Sequence, residues 1–350
     1  MKQQLEVYFG SPAKSATTLL LGALALAFCW WIFRWGVIDA TWKGDATACR
    51  ENAAGACWPF LANKLNFILF GFYPREELGR VVGLCVIFVA CLAVTLLTIA
   101  IGKASLLRWV PIMWLTQLVL SIALLGGGIF GLTPVPDRLW SGLPITIVLS
   151  VSTILLGLPL GTLIALGRKS RSSAVRTVCL GFVEVMRALP IIAVLFIATI
   201  IVPLFLPSQL DISNLFRALI GLLLVAAAYF SEIVRSGLNA ISPLQYEAAH
   251  SLGLSRFQRL RLVTLPQTFS LIVPPLVSQA ASLLKDTTLI VIISHYDLVG
   301  TARMATADPL WTGFSAEAFL FIGAIYFAMC WSVIKFGEMA ETLMTYGGRR

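Results

Sequence analysis

Charge is scarce in this sequence. Asp, Glu, Lys and Arg make up 12% of its 350 residues, where soluble domains carry about 25%. With 58% hydrophobic residues and a mean hydropathy of +0.88, the chain is too apolar to hide its surface in one aqueous core. That excludes a cytosolic enzyme, a disordered regulator and a secreted binding module, and leaves a bilayer as the solvent. Histidine is nearly absent, His250 and His295 being the two, and no His, Cys, Asp and Glu constellation has metal-ligand spacing. There is no G-x-x-x-x-G-K-[ST], so the chain lacks a phosphate cradle of that type. No nucleophile stands with a base. The chain therefore reads as not an enzyme, without a metal or a cofactor of its own. Internal repeats and low-complexity tracts are missing too.

The formal net charge of +9 does not point to nucleic acid. The basic residues are scattered between apolar runs rather than gathered on one face, and membrane proteins are basic for their own reason, the positive-inside bias.

A run of about 20 apolar residues at 1.5 Å each crosses a hydrocarbon core of about 30 Å. Eight segments qualify: roughly 16–36, 81–101, 110–131, 142–166, 178–206, 217–235, 268–294 and 316–337. The first is longer than a signal-peptide core, and the A-x-A match at Ala46-Thr47-Ala48 sits about ten residues past it, so it is read as a retained span. With the amino terminus placed inside, the inner segments carry 15 Lys/Arg against four Asp/Glu, and the outer ones nine against ten. The short loop Arg168-Lys169-Ser170-Arg171 to Arg176 is the clearest marker, and an even span count puts both termini in the cytoplasm. Trp30, Trp31, Trp35, Trp109, Trp140, Trp311 and Trp331 lie near expected span ends, where amphipathic rings prefer the headgroup level.

Five of the seven cysteines, Cys29, Cys85, Cys91, Cys179 and Cys330, fall in or at the edge of spans and read as small apolar residues. Cys49 and Cys57, eight apart in the long outer loop 37–80, are disulfide candidates if the outside is a periplasm. A zinc reading of this pair finds no further ligands.

The expected fold class is all-α, a polytopic transmembrane bundle of about eight spans. It divides near residue 135, where Gly126-Gly127-Gly128 and Thr133-Pro134-Val135-Pro136 interrupt the apolar pattern as a linker would. Residues 1–135 form a three-span extension with the outer loop, in which Leu61 to Phe72 is too short to span. Residues 136–350 form a five-span core with an unusually long inner loop, 235–267. That core is rich in intramembrane proline, at Pro144, Pro159, Pro190, Pro203, Pro274 and Pro275. Proline frees carbonyls that only a neighbouring helix or a cavity can satisfy.

The inner loop carries the strongest pattern. Ser242 is a plausible N-cap with Pro243 at the first helical position, Glu247-Ala248-Ala249 continue a turn or so of helix, and Gly253 suits the left-handed terminator. A second helix starting at Ser255 is expected to end at or before Leu265, because Pro266 restricts the residue before it. Arg256, Arg259 and Arg261 make that second helix cationic.

The order Glu247-Ala248-Ala249-x3-Gly253-x9-Val263-x-Leu265-Pro266 resembles the E-A-A-x3-G-x9-I-x-L-P coupling loop of ATP-binding-cassette importer membrane subunits, with Val263 where Ile is usual. Ala228 to Leu238 (AYFSEIVRSGL), Leu283 to Leu289 (LLKDTTL) and Met186-Arg187-Ala188-Leu189-Pro190, where the family more often shows R-G-T-P, resemble the polar-amino-acid importers over about residues 140–340. The amino-terminal extension resembles one membrane subunit of the general L-amino-acid permeases. The resemblance implies a bacterial inner-membrane permease. Its partners would be two cytoplasmic ATPase subunits that bind ATP and Mg, a second membrane subunit that is a related chain or a copy, and a periplasmic amino-acid-binding protein. It also assigns ATPase coupling to Glu247, Ala248, Ala249, Gly253, Leu265 and Pro266.

Four charges fall inside expected spans: Glu184, Arg187, Lys285 and Asp286. Each costs roughly 2.5–3.5 kcal/mol at a helix centre, and such residues usually face a cavity or partner. A zwitterionic substrate needs both signs of charge, which makes these four the candidates for its path. The competing reading is an ion-pair network that fixes packing. A secondary transporter or channel for small polar solutes is the rival function. It would not need the long inner loop, and it would more often show repeats.

Overall fold

The computed structural model describes residues 8–52, 54–102, 106, 108–129, 131–205, 207 and 212–346; side chains of 343–346 are not described. The extreme termini, expected in the cytoplasm, lie outside the described residues. Among the described residues the regular structure is helical, with isolated bridges only at Thr41–Cys57 and Gly142–Asp297. The helices are α1 Pro12–Phe33, α2 Ala46–Glu51, α3 Trp58–Phe70, α4 Leu78–Ile101, α5 Val110–Gly126, α6 Leu143–Gly167, α7 Ser173–Ala188, α8 Ile191–Phe196, α9 Asn214–Ala240, α10 Pro243–Ser251, α11 Arg256–Arg259, α12 Leu265–Asp286, α13 Leu298–Thr306 and α14 Ser315–Tyr346.

Among the described residues six helical stretches are long and apolar enough to cross a membrane, Pro12–Ile38, Arg75–Ile101, Leu143–Gly167, Asn214–Ala240, Arg256–Ile293 and Ser315–Thr342, or seven if the bent pair Ser173–Ala188 with Ile191–Phe205 is one span. The other two of the eight expected spans are present in altered form. α5 has 17 residues and stops at Gly126, short of residue 131. The segment 178–206 is not one helix. Leu189, before Pro190, is extended at φ −82°, ψ 137°, and the chain turns by 109° between Ser173–Ala188 and Ile191–Phe205. Proline crowds the preceding residue out of the helical region, so an apolar run that reads as continuous is broken at that point.

The chain forms two compact units. The first comprises residues up to Asn66 with Arg303–Phe321. Its α1 is apolar on every side and buries none of its residues within the unit, as a lipid-facing helix does. Beyond α1 the unit is a tied knot. The Asp45 carboxylate caps α2 by accepting from the N–H groups of Thr47 and Ala48 at 3.2 and 3.1 Å. Cys49 and Cys57 are joined in a disulfide. The N–H of Cys57 donates to buried Glu317 at 2.7 Å, and Lys64 pairs with Asp308 at 2.5 Å. Arg50 donates to the carbonyls of Pro309 and Leu310. Phe60 and Trp311 pack ring against ring and are both buried.

The second unit comprises Phe67–Ala302 and the residues from Ile322 onward. α6 lies at its centre, burying Ile145, Ile147, Leu149 and the hydroxyl residues Thr146, Ser150 and Thr153. Those hydroxyls donate to carbonyls one turn back, so apolar surroundings leave them paired. α6 meets α9 through Gly157 and Gly161, a small-x3-small pair. A Cβ on Gly161 would stand 2.6 Å from Phe230 Cβ and 2.7 Å from the Ala227 carbonyl, so the approach requires glycine there. α4 and α5 close the other side with Leu84, Phe88, Leu118 and Leu125, and Trp114 donates to Thr95 at 3.1 Å. Tyr326 of α14 donates to fully buried Asp297 at 2.9 Å, and Asp297 accepts from the Gly300 N–H at the head of α13.

Candidate functional site: the coupling loop and the charges around it

α9 continues through Ala240, so the inner loop leaves the bundle later than residue 235. α10 then runs for nine residues, longer than the single turn expected. Ser242 holds the N-cap position without a side-chain cap bond, and Pro243 opens the helix, where a missing N–H costs nothing. The helix ends on a Schellman arrangement: the Leu254 N–H reaches the Ala249 carbonyl at 3.3 Å, and the Gly253 N–H reaches that of His250 at 2.9 Å. Gly253 has φ +77°, with open space where a Cβ would point.

The second arm starts on a complete capping box. Ser255 accepts from the Gln258 N–H, and the Gln258 side chain accepts from the Ser255 N–H. This arm does not stop before Pro266, contrary to the sequence expectation. A π-turn over Leu260–Thr264 lets the Leu265 N–H reach back to the Leu260 carbonyl. Pro266 then falls in the first turn of α12, where its lack of a donor is tolerated. Arg256–Ile293 is thus one 38-residue helical stretch. The loop's second arm and the membrane span are therefore continuous in the helix.

Of the residues expected to couple to an ATPase, Ala249 is buried, while Glu247, Ala248, Gly253 and Pro266 are exposed. The loop also presents large apolar side chains that sequence reading did not single out: Leu244 at 72% exposure, Leu252 at 80% and Phe257 at 68%. They flank the Gly253 turn with Arg256 exposed among them. Their signal was their position beside the motif. An open groove of about 520 Å³ runs behind the loop, lined by Ile241, Ser242, Gln245, Pro266, Gln267 and Leu271 among others. Gln267 donates to Gln245 across it at 3.4 Å.

The four charges proposed for a substrate path separate into two places. Lys285 is exposed on α12, on the face that also carries Gln267, Leu271, Pro274 and Ser278; Asp286 beside it is half-buried. Glu184 and Arg187 lie on α7. Arg187 is 3.3 Å from Glu232 of α9 and 5.8 Å from the Tyr229 ring centre. Glu232 also binds Arg168 at 2.8 Å and Arg235 one turn along α9. Lys169 donates to the Leu238 carbonyl at 3.1 Å. Burial, and then Arg235, push its ammonium below the ordinary lysine value. Sequence reading passed over this cluster. The Glu232–Arg235 spacing of three was legible on a helix, but Arg168 and Arg187 reach the same carboxylate only through the fold.

A membrane permease, an apolar helical bundle with a capped two-helix loop leading into one of its spans, is the class this arrangement defines. Residues 157–338 match the family described as the binding-protein-dependent transport system inner membrane component, and the chain belongs to that family. It is 35% identical to the inner membrane amino-acid ABC transporter permease protein YhdY of Escherichia coli, over 90% of this chain and 85% of that one. It is 29% identical to the glutamate/glutamine/aspartate/asparagine transport system permease protein BztC of Rhodobacter capsulatus, over 97% and 93%. A solved structure described as an amino acid ABC transporter with histidines superposes with a TM-score of 0.51 at 28% identity, covering 57% of this chain and 91% of that chain. The chain is a multi-pass membrane protein and, as the membrane component of such a system, not itself an enzyme.

Proposed function

We propose that this chain is the membrane subunit of an ATP-driven amino-acid importer in a bacterial inner membrane. It forms half of a translocation path with a second membrane subunit, a related chain or a copy. Two cytoplasmic ATPase subunits binding ATP and Mg drive it, and a periplasmic binding protein delivers the substrate. The observation that carries this reading is the coupling loop: two capped helices at a glycine turn, with Leu244, Leu252 and Phe257 exposed and a continuous helix leading inward. Rigid-body closure of ATPases on such a bracket becomes helix tilt. Glu247, Ala248, Ala249, Gly253, Leu265 and Pro266 serve that contact, with both termini and the loop 167–177 on the cytoplasmic side.

The domain division carries over as a proposal: 136–350 works as the importer core, and 1–135 is an extension whose loop 37–80 stands in the periplasm. In the core, the exposed face of α12 with Lys285 and Ser278 lines the path, Lys285 supplying a cation for a substrate carboxylate. Asp286 stands beside it. Glu184 and Arg187 sit away from that face, on α7. The test is uptake by the reconstituted complex. Amino-acid accumulation should require both ATP and the binding protein, whereas accumulation without ATP would favour a secondary transporter or channel.

A further inference from the structure

We propose that Gln245 and Gln267 form a strut that stiffens the inner loop, which makes them positioning residues for the coupling of ATP hydrolysis to transport. The strut presupposes the proposed function, and neither residue belongs to the set assigned to coupling there. α10 is jointed at both ends. Before it, Ile241 and Ser242 are extended, at φ −72°, ψ 126° and φ −58°, ψ 136°. After it comes the left-handed turn at Gly253, φ +77°. Packing holds the helix thinly, since Ala249 is the one residue of α10 that is buried. Gln267 Nε2 donates to Gln245 Oε1 at 3.4 Å, and among the described residues this is the one side-chain hydrogen bond that links α10 to another helix.

The other end of that bond stands on firm ground. Gln267 lies in the first turn of α12, within the continuous helical stretch Arg256–Ile293. The bond therefore ties the jointed arm of the loop to its straight arm. It does so across the open groove of about 520 Å³, whose lining includes both glutamines. Two arms that share one joint fold at that joint under load. A second tie away from the joint closes a triangle and removes that freedom. Without it, α10 could yield into the groove, and movement received at Leu244 and Leu252 would be absorbed there instead of tilting α12. Both partners are uncharged amides, each with donors and an acceptor, so the tie needs no particular protonation state.

The test reads amino-acid uptake and ATP hydrolysis together, in the reconstituted complex with its binding protein. Gln245→Ala and Gln267→Ala should each lower the amino acid carried per ATP hydrolysed about fivefold, the weight of one neutral hydrogen bond, while hydrolysis continues. Two changes that act through one bond do not add, so the double variant should match either single one. Gln245→Glu combined with Gln267→Lys puts an ion pair in place of the amide bond and should restore the ratio. A covalent tie should do the same. With the free Cys29, Cys85, Cys91, Cys179 and Cys330 changed to Ala and the Cys49–Cys57 disulfide kept, Gln245→Cys and Gln267→Cys are joined by a short thioether linker. The linked complex should transport at the unmodified ratio. Loss of uptake on linking overturns the proposal, because the groove would then have to change width in each cycle. An unchanged ratio in both alanine variants overturns it too, as does a double variant that shows the product of the two single losses. Failure of the underlying transport reading looks different: the unmodified complex would then accumulate amino acid without ATP.

Discussion

Two segments of this chain outside its long apolar helices use short helices for opposite ends. The knot of the first unit hides its apolar side chains: Phe60, Cys49, Cys57 and Trp311 are buried, held by a disulfide, a Lys64–Asp308 pair and the buried Glu317 carboxylate. The inner loop of the second unit has comparable local order, with a capping box and a Schellman turn, yet leaves Leu244, Leu252 and Phe257 exposed. A small extramembrane fold that must stand alone needs staples because its core is small. On the proposed function, the exposed apolar groups of the inner loop are the ones the ATPase subunits cover. The first segment is then built for stability and, on the proposed function, the second for contact, so mutations in the two should fail differently.

The largest effect is expected at the turn of the coupling loop. A side chain at φ +77° costs up to about 1–2 kcal/mol of backbone strain. No atom stands where the Gly253 Cβ would go, so the subunit itself has room. Gly253→Asp should cut ATP-driven uptake by about tenfold or more, since a charge placed in a desolvated contact costs at least the ~1.4 kcal/mol that a factor of ten represents. Insertion should be unchanged, and thermal stability should fall by no more than that backbone strain. Leu252→Asp, which touches no backbone preference, should do the same. Normal uptake in both variants would show that the exposed apolar groups meet no partner and would remove the contrast with the knot.

Glu232→Gln probes a site of neither kind, inside the bundle. It leaves Arg168, Arg187 and Arg235 around a neutral amide. Leaving the buried Arg168 guanidinium short of an acceptor should cost about 1–3 kcal/mol. The expected result is a lower melting temperature with altered packing of α7 on α9, read by cysteine cross-linking between the two helices. An unchanged melting temperature would mean that another anion neutralises the cluster.

How much of this was legible follows the reach of each signal. The coupling loop was readable because capping and left-handed turns are local: Ser255, Gln258 and Gly253 act within a few residues of themselves. The spans on α1, α4, α6, α9 and α14 were readable because hydropathy is a running sum. The same sum misled at 178–206, where it averages over Pro190 and misses the 109° turn. Pro266 was misread for the opposite reason. A local rule said stop, and a π-turn just upstream shifted the register so that the helix could continue. The Glu232 cluster needs residues 168, 187, 232 and 235 from three helices, and no window along the chain contains them all. The Gly157–Gly161 seam was in plain sight as spacing, but its partner, Phe230, was not.

The Cys49–Cys57 link sharpens the comparison from the other side. Replacing both by Ala opens a loop of about nine residues, for which chain-entropy reasoning gives a loss of about 2–3 kcal/mol. The loss should be confined to the knot. Limited proteolysis near α2 should accelerate, while ATP-driven uptake by the surviving complexes stays close to normal. A coupling defect as deep as that of Gly253→Asp would mean that the two segments are not independent.

The smallest effect concerns acid. In the same knot, the Lys64 ammonium, followed by the N–H of Leu310, holds the Asp308 carboxyl below the ordinary carboxylate value. A carboxyl whose value is lowered by folding stabilises the fold above its unfolded value, and that contribution disappears as pH falls through the lowered one. The exposed setting and salt screening keep the contribution small. Asp308→Asn removes it at every pH. Proteolytic resistance of the knot should therefore be slightly lower in Asp308→Asn than in the unmodified protein at neutral pH, and the two should converge as pH falls from about 5 toward about 2. High salt should shrink the neutral-pH difference as well. A gap that persists unchanged at low pH would show that Asp308 acts through the shape of its turn, in which it accepts from Leu310 N–H, rather than through its charge.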